Sequence, residues 1–223
     1  MKNFFLKKIP LFISIFYFYF LLYIRKLTSA EYEFFILRNF VKKNNVVLDI
    51  GSNIGRYTFE LSSIVGCKGT VYSFEPMHRS FLILLSLTYL SGKKNIIPIN
   101  LAISNKTNKI IMEEQSSPSN NYLFDTNTES KITHKPSKNN LGTYSVKIDD
   151  LNIKEKISFI KIDCEGAELD VLKGAINLIK KNKPIIMVEN NSNKLVGFLS
   201  KLRYQPKKIK TKSRNFIFIY KKK

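Results

Sequence analysis

The sequence predicts an α/β fold with a mostly parallel central sheet and helices on both of its faces. Short apolar strands alternate with helical segments over residues 46–99, the pattern of parallel strands joined by crossover helices. The apolar strands at 46–50, 70–74 and 157–162 each end in or beside an acidic residue. Because ligands of such sheets bind at the carboxyl ends of the strands, these three strand ends form the candidate site.

The predicted elements follow one another in chain order. A helix over residues 31–43 leads into the first strand. Further strands are expected at 46–50, 70–74, 96–99, 157–162 and 184–189, and further helices at 54–65, 77–90, 169–175 and 193–202. Residues 204–209 and 215–220 are expected to close the sheet as an antiparallel strand pair. The chain of 223 residues suits one domain with a substantial core, which we place at residues 31–223.

The first strand runs into a glycine-containing turn of the nucleotide-binding type. Glycines allow a backbone to pass close to a ligand, and loops that bind dinucleotides use them beside a pyrophosphate. Here Asp49 stands two residues before the first glycine, where a carboxylate would repel a pyrophosphate. The acid favours a cationic ligand with hydroxyl and amino donors, such as S-adenosylmethionine. The cofactor-binding candidates in this turn are Asp49, Gly51, Ser52, Asn53 and Gly55.

The second strand ends in Glu75, which follows Gly55 by 20 positions. A carboxylate at this strand end is placed to accept both ribose hydroxyls of an adenosine, so Glu75 joins the cofactor-binding candidates. The next residue, Pro76, suits the start of a helix, where its missing N–H costs nothing. The structural alternative is that Glu75 caps the helix or lies in solvent.

The third strand runs into the dense acidic turn Asp163-Cys164-Glu165-Gly166-Ala167-Glu168. With the segments 48–55 and 74–76, this turn resembles the FkbM family of S-adenosylmethionine-dependent methyltransferases over roughly residues 45–190. The acidic turn is the specific part of the resemblance, since many methyltransferases share the other two motifs. Cys164 departs from the family pattern, which has Val or Thr there. The resemblance implies a Rossmann-like class I methyltransferase fold, S-adenosylmethionine as cofactor, and a hydroxyl of a sugar, glycoconjugate or related small molecule as acceptor.

Asp163 and Glu165 are the candidate catalytic residues. A sulfonium cofactor brings its own leaving group, so the protein has to position the acceptor and remove its proton. A carboxylate at the end of strand 157–162 can act as that base. Glu168 has a structural explanation, because an acid in the first turn of a helix is stabilised by the helix dipole. His134, in the polar segment described next, is an alternative base.

Residues 114–142 form a long polar segment between strand-like residues 109–113 and 143–147. Irregular connections of this length in compact domains are either functional lids or disordered loops. We interpret this one as a hairpin excursion near the active site that recognises the acceptor. Disorder without a functional role is the alternative.

Residues 1–30 form a separate hydrophobic segment. Ile9 to Ile24 is uncharged and lies between the basic pairs Lys7-Lys8 and Arg25-Lys26. The run is shorter than the roughly 20 residues that span a bilayer, and basic residues directly after it argue against a cleaved signal peptide. Residues 4–26 are therefore expected either to contact the membrane or to form a helix packed on the domain or on a second copy. We expect a cytoplasmic protein, with or without membrane association.

The formal net charge of +20 does not by itself predict a nucleic-acid partner. The lysines are spread along the chain in ones and twos, as a compositional bias would leave them. No Asn/Asp-Pro-Pro-aromatic motif for methylating base amines is present. An RNA methyltransferase is thus the alternative enzyme, and a non-catalytic S-adenosylmethionine-binding or membrane-scaffold protein is the alternative of another class. Cys67 and Cys164 are far apart and no cluster has metal-ligand spacing, so no metal is expected.

Overall fold

The computed structural model describes residues 10–25, 32–116, 128–133, 141–189, 192–207 and 215–221. Its helices are α1 (Leu11–Arg25), α2 (Tyr32–Phe40), α3 (Arg56–Val65), α4 (His78–Leu90), α5 (Glu168–Gly174), α6 (Ile176–Asn182) and α7 (Asn193–Lys201), with a 3₁₀ turn at Ile148–Asp150. Its strands are β1 (Val46–Ile50), β2 (Thr70–Phe74), β3 (Ile96–Ile99), β4 (Ala102–Ile103), β5 (Asn108–Ser116), β6 (Thr128–Thr133), β7 (Leu141–Val146), β8 (Ile157–Ile162), β9 (Ile185–Val188), β10 (Tyr204–Lys207) and β11 (Phe216–Tyr220).

The central sheet has seven strands in the order β10-β11-β9-β8-β1-β2-β3. The five strands from β9 to β3 are parallel, while β11 is antiparallel to both β9 and β10. The predicted α/β fold with a mostly parallel sheet and a C-terminal antiparallel strand pair is therefore confirmed. Strands β1, β2, β3 and β8 have the predicted bounds, because each is a short, mainly apolar segment rich in β-branched and aromatic residues.

Successive residues of the central strands bury opposite faces of the sheet. Val47 and Phe159 pack with apolar side chains of α2 and α3. Leu48 and Ile160, one position further along each strand, pack with side chains of α5, α6 and α7. This alternation is the period of two that a strand imposes on its side chains. It places helices on both faces and leaves the carboxyl ends of the strands as the edge where a ligand can bind.

Helix α1 packs against α4 at the β3 side of the sheet. Phe18 of α1 is buried with Leu84 and Leu87 of α4, and the guanidinium of Arg79 donates to the hydroxyl of Ser14 over 3.1 Å. In the described part of the chain, no helix has the length and apolar character needed to cross a membrane. The position of α1 thus agrees with the packed-helix interpretation of the N-terminal segment.

The segment 114–142 is more regular than the sequence predicts. Strand β6 lies within it and pairs antiparallel with β5, in a second sheet of order β4-β7-β5-β6. The hairpin part of the prediction is confirmed, since β5 and β6 are antiparallel neighbours. The expectation of an irregular backbone was wrong for residues 114–116, 128–133 and 141–142, because pairing between strands outweighs the polar composition of this segment. Residues 117–127 and 134–140, and with them His134, lie outside the described residues, so their predicted role in acceptor recognition stays a prediction.

Other element ends differ from the sequence prediction by a few residues. Helix α2 ends at Phe40 rather than Lys43, and the chain then turns through Asn44, whose φ is 65°. The side chain of Asn45 accepts a hydrogen bond from the backbone N–H of Lys42 over 2.9 Å and stabilises this turn. Residues 208–214, which include the last two residues of the predicted strand 204–209 and the turn after it, lie outside the described residues.

Substitutions on the two faces of α1 should separate its packing from its exposed surface. Phe18 is 7% exposed and Phe16 is 75% exposed. Phe18→Ala should lower the free energy of unfolding by about 3 kcal/mol, through lost burial and the cavity left behind. Phe16→Ala, the matched control, should change it by less than about 0.5 kcal/mol. Urea denaturation measures both values, and equal stability of the two variants would show that α1 does not pack as described.

Candidate active site

The sheet order brings the sequence-predicted site residues together at one edge. Strand β1 lies between β2 and β8, and Ile50 is in register with both Phe74 and Ile162. The residues that follow these three strands are therefore neighbours in space, although the acidic turn lies more than 100 positions after the glycine turn. Strand β9 continues the row, since Ile162 is paired with Val188.

Gly51 is required by the neighbouring acidic turn. Its φ is +77°, and a Cβ atom at this position would collide with the backbone carbonyl oxygen of Asp163. The backbone N–H groups of Gly51 and Ser52 both donate to the carbonyl oxygen of Phe74 over 3.0 Å. The turn after β1 is thus held against the ends of β2 and β8 at once, and close contact with protein backbone already explains this glycine.

The rest of the glycine turn is tied to Glu75. The backbone N–H of Asn53, whose φ is 50°, donates to Oε2 of Glu75 over 2.8 Å. Gly55 has a φ of +98°, and a Cβ there would press on Leu84 and Phe59. Helix α3 then begins directly after Gly55. Backbone geometry and packing therefore fix the loop before any ligand is considered.

Glu75 is 5% exposed and accepts hydrogen bonds on both oxygens. Oε1 accepts from the backbone N–H of Met77, the residue before α4, over 2.8 Å. Burial raises the pKa of Glu75 to about 7, against the lowering effect of the N–H groups of Met77 and Asn53. Oε1 therefore has the helix-capping role that was the structural alternative for Glu75. Each oxygen still has a second lone pair that can accept a hydrogen bond from a ligand hydroxyl. The ribose role stays a prediction.

Asp49 is fully buried below the glycine turn. Its Oδ2 accepts a hydrogen bond of 2.6 Å from the hydroxyl of Thr58, which is also 2.8 Å from the hydroxyl of Ser73. Its Oδ1 has no hydrogen-bond partner among the described residues. Burial raises the pKa of Asp49 above its usual value, against the attraction of Lys161. The group is therefore a costly buried carboxylate, and its predicted contact with the cationic end of the cofactor stays a prediction.

Lys161 is the positive charge that the sequence analysis missed. It lies on β8 between apolar neighbours and is 1% exposed. Its Nζ forms an ion pair with Oδ2 of Asp163 over 2.8 Å and lies 4.3 Å from the centre of the Tyr57 ring. Burial works to lower the pKa of Lys161, but the carboxylates of Asp163 and Asp49 outweigh it and hold the pKa above its usual value. The sequence did contain a signal for this ion pair, namely a single lysine inside an apolar strand, because a buried charge needs a partner of opposite charge.

The acidic turn brings a third carboxylate, Glu189, beside the two that the sequence named. One oxygen from each of Asp163, Glu165 and Glu189 lies within 4.8 Å of the other two. Glu165 is exposed and has a φ of 46°, whereas the other two are half-buried. The sequence analysis ended strand 184–189 at Glu189 without assigning it a role, because no local motif surrounds it.

The pKa values of the two half-buried carboxyls are driven apart. Burial works to raise the pKa of Asp163, but Lys161, a hydrogen bond with Glu189 and the charge of Arg56 hold it below its usual value. The hydrogen bond to Asp163, burial and the charges of Asp163 and Glu165 raise the pKa of Glu189 to about 8, against Lys161. The two carboxyls therefore titrate as a pair, in which Glu189 has the higher proton affinity.

Two further residues of the turn have structural roles. Glu168 is buried, and its Oε1 accepts a hydrogen bond of 2.9 Å from the backbone N–H of Gly166 at the start of α5, in agreement with its structural explanation. Cys164 is a free, half-buried thiol. Burial raises the pKa of the Cys164 thiol well above its usual range, so it remains a protonated and unreactive packing group.

The three carboxylates could in principle supply oxygen ligands to a hard cation. Within the residues that the structure describes, no histidine or cysteine completes the group. Clusters of acids are also common without a metal. The expectation that the site uses no metal stays a prediction.

A comparison with protein-family models gives one match that spans the whole site. The model of the methyltransferase FkbM domain matches residues 49–206, more than half of the chain. The chain belongs to the FkbM methyltransferase family. The family resemblance read from the sequence is thereby confirmed, and the FkbM match also confirms S-adenosylmethionine as the cofactor of the family.

One curated protein and two solved structures illustrate the relationship. Hexuronic acid methyltransferase AglP of Haloferax volcanii is 27% identical over 166 residues, which cover 74% of this chain and 64% of AglP. The methyltransferase FkbM structure from Methylobacillus flagellatus has 20% identity and a TM-score of 0.56, over 80% of this chain and 44% of that one. A putative rRNA methylase structure from Clostridium thermocellum has 11% identity and a TM-score of 0.50, over 86% of this chain and 96% of that one.

These likenesses differ in what they show. The two structures support the class I methyltransferase fold alone, because their identities to this FkbM chain are low. The chain spans 64% of the length of AglP. The activity and acceptor named for AglP therefore describe AglP and not this chain.

Buried Glu75 should make the stability of the cofactor-free protein depend on pH. Its pKa is 4.5 when unperturbed and about 7 in the folded protein, so the folded state keeps a proton that the unfolded state loses. The resulting stabilisation is complete below about pH 4.5 and is lost as the pH rises through 7, on the order of 3 kcal/mol in all. Urea denaturation should show that the free energy of unfolding falls from pH 5 to pH 8, and that it falls less steeply in Glu75→Gln.

Glu155→Gln is the matched control for this measurement. Glu155 is exposed, contacts the Tyr72 hydroxyl, and has a pKa lowered mainly by a backbone hydrogen bond. The Glu155→Gln change should leave the dependence of the free energy of unfolding on pH, between pH 5 and pH 8, the same as in wild type. Identical slopes in wild type and Glu75→Gln would show that Glu75 does not carry the proton.

Proposed function

We propose that this FkbM protein transfers the methyl group of S-adenosylmethionine to a hydroxyl of a sugar, glycoconjugate or related small molecule. The observation that carries the proposal is the row of groups along one sheet edge. Glu75 lies at the end of β2, the glycine turn at the end of β1, and Asp163 at the end of β8. A cofactor held at Glu75 and the glycine turn would extend its reactive end towards Asp163.

The charges of this edge suit a cationic cofactor. The carboxylates of Asp49, Glu75 and Asp163 influence one another electrostatically, and burial makes each of them costly to ionise without a nearby cation. A sulfonium and an ammonium group would join Lys161 and Arg56 as positive charges beside these carboxylates. A pyrophosphate would add to the negative charge, so a dinucleotide fits this site poorly.

The reaction needs a base beside the acceptor. In the proposed transfer, the acceptor oxygen attacks the methyl carbon, the sulfur–carbon bond breaks, and its electron pair stays on sulfur as a thioether. The hydroxyl proton must leave at the same time or before. Asp163 and Glu165, the predicted catalytic residues, lie at the strand end where the methyl group would be presented, and a carboxylate can accept that proton.

The local charge also bears on the type of acceptor. A hexuronic acid, the acceptor in the name of AglP, carries both hydroxyls and a carboxylate. The carboxyls of Asp163, Glu165 and Glu189 lie together in this site and would repel an acceptor carboxylate that approached the methyl group. They would instead assist the deprotonation of a hydroxyl, which supports a hydroxyl as the atom that is methylated. An RNA acceptor would bring phosphates towards the same carboxyls.

A methyl-transfer assay tests the proposal. Purified protein, labelled S-adenosylmethionine and a panel of hexuronic acids, neutral hexoses and short RNA should give label on a sugar hydroxyl, located by mass spectrometry. Glu75→Ala should weaken cofactor binding by about 1.5–3 kcal/mol in calorimetry, through lost charge-assisted hydrogen bonds. Asp163→Asn and Glu165→Gln distinguish a cofactor contact, which loses binding, from a base, which loses turnover. Label found only on RNA or on a carboxylate would contradict the hydroxyl assignment.

A second proposal concerns the outer face of α1, which we propose rests on a membrane surface. Phe12, Phe16 and Phe20 are exposed at a spacing of four residues, and Tyr89 of the neighbouring α4 is also exposed. The other face of α1 packs on α4, and aromatic side chains on the exposed face of a helix can enter the interfacial layer of a bilayer. The sequence adds Lys7, Lys8, Arg25 and Lys26 at the two ends, which suit anionic lipid.

Flotation with vesicles of phosphatidylglycerol and phosphatidylethanolamine tests this contact. The full-length protein should float with the vesicles, and the double change Phe16→Ser and Phe20→Ser should reduce the bound fraction several-fold. Phe35→Ser is the matched control, because Phe35 is an exposed phenylalanine on a different helix, α2. Equal flotation of the wild type, the double variant and Phe35→Ser would show that the exposed face of α1 does not bind the membrane.

A further inference from the structure

Glu189 stands beside Asp163 because β8 and β9 are paired in register. Its backbone N–H donates to the carbonyl oxygen of Ile162 over 3.3 Å, and one of its carboxyl oxygens lies within 4.8 Å of a carboxyl oxygen of Asp163. Along the edge, Glu189 is one strand further from the glycine turn than Asp163. It therefore lies on the side where an acceptor would approach the methyl group of a cofactor bound over β1 and β2.

Asp163 is poorly placed to take up a proton. Its carboxylate is ion-paired with buried Lys161 over 2.8 Å and has a carboxyl oxygen of Glu189 within 4.8 Å. Protonation would break a buried ion pair and leave the ammonium of Lys161 without a full counter-charge, which is costly. The structure instead suits Asp163 as a positioning residue, which holds Glu189 in place and is itself fixed by Lys161.

Glu165 differs from both neighbours in exposure. It lies on the solvent side of the turn, where the chain passes through the left-handed region before Gly166. A general base must be held within hydrogen-bond reach of the proton that it removes, and the half-buried side chain of Glu189 is more enclosed by the protein than that of Glu165. The negative charge of Glu165 nevertheless acts on Glu189 and adds to the proton affinity there.

We infer that Glu189 is the general base that takes the proton from the acceptor hydroxyl. The inference rests on the methyl transfer proposed above. As the acceptor oxygen forms its bond to the methyl carbon, the sulfur–carbon bond breaks and its electron pair remains on sulfur. The hydroxyl proton moves to the carboxylate of Glu189, which then donates it in a hydrogen bond to Asp163. Release of that proton to water restores the carboxylate, so neither a redox partner nor a metal is required.

A pH-dependent rate follows from the groups that face Glu189. Asp163 and Glu165 raise its pKa, Lys161 lowers it, and the result is a value of about 8. Only the ionised form can accept a proton, so kcat should rise with pH and level off above about 8. Neutralising Glu165 removes one of the charges that raise the pKa of Glu189. The Glu165→Gln variant should therefore still show the rise of kcat with pH, but at a lower pH.

The kinetic test compares Glu189→Gln with the same change at Glu155, which lies outside the site and contacts the Tyr72 hydroxyl. Glu189→Gln should lose roughly 10²–10⁴-fold in kcat, lose the rise near pH 8, and bind S-adenosylmethionine within about twofold of wild type. Glu155→Gln should keep the wild-type profile. A Glu189→Gln enzyme with wild-type kcat and pH profile would overturn the role of Glu189 while leaving the methyl transfer intact. Loss of the pH rise in Glu165→Gln would assign the base to Glu165 instead.

Two further measurements separate this role from its rivals. In ¹³C NMR of protein labelled at glutamate carboxyls, one resonance should titrate near pH 8 and be absent from Glu189→Gln. This titration needs no acceptor, so a Glu189 carboxyl that titrates below about pH 6 would overturn the assignment even if the acceptor screen fails. Activity lost in EDTA and restored by Mg²⁺ would show that the three carboxyls hold a cation rather than a proton, and would also overturn it.

Discussion

The buried ammonium of Lys161 is the interaction on which the active-site edge depends. It is nearly inaccessible to water, forms an ion pair with Asp163 and is attracted to Asp49. These carboxylates belong to the ends of β8 and β1, so one cation offsets the negative charge of two adjacent strands. Removing either member of such a pair leaves an uncompensated buried charge, a larger loss than the pair itself contributes. The lysine thereby allows acids to gather where the cofactor is expected.

A second constraint is the close approach of the two central turns. Gly51 leaves no room for a side chain beside the carbonyl oxygen of Asp163, and the Asn53 N–H is bonded to Glu75. The turns after β2, β1 and β8 are consequently in direct contact, so that moving one of them requires the others to move. Such an edge is preorganised, because the protein's own backbone and packing fix the geometry that a ligand will use.

The carboxyls of this edge are held at different proton affinities by their surroundings. Burial raises the pKa of Glu75 to about 7, whereas Lys161 helps to hold the pKa of Asp163 low and Asp163 in turn raises that of Glu189. One type of side chain can then serve as ligand contact, fixed counter-charge and proton acceptor.

The sequence by itself determined the fold class and the family, because apolar runs and strand-end motifs are local patterns. It also named Asp49, Gly51, Ser52, Asn53, Gly55, Glu75, Asp163 and Glu165 as candidate site residues, and their roles stay predictions. Only the tertiary structure decided the partnership of Lys161 with Asp49 and Asp163, the place of Glu189 beside them, and the pairing of β6 with β5. It also decided that α1 packs on α4. These features could not be predicted because they join residues far apart in the chain. Their proton affinities and burial arise from neighbours that strand order and register bring together.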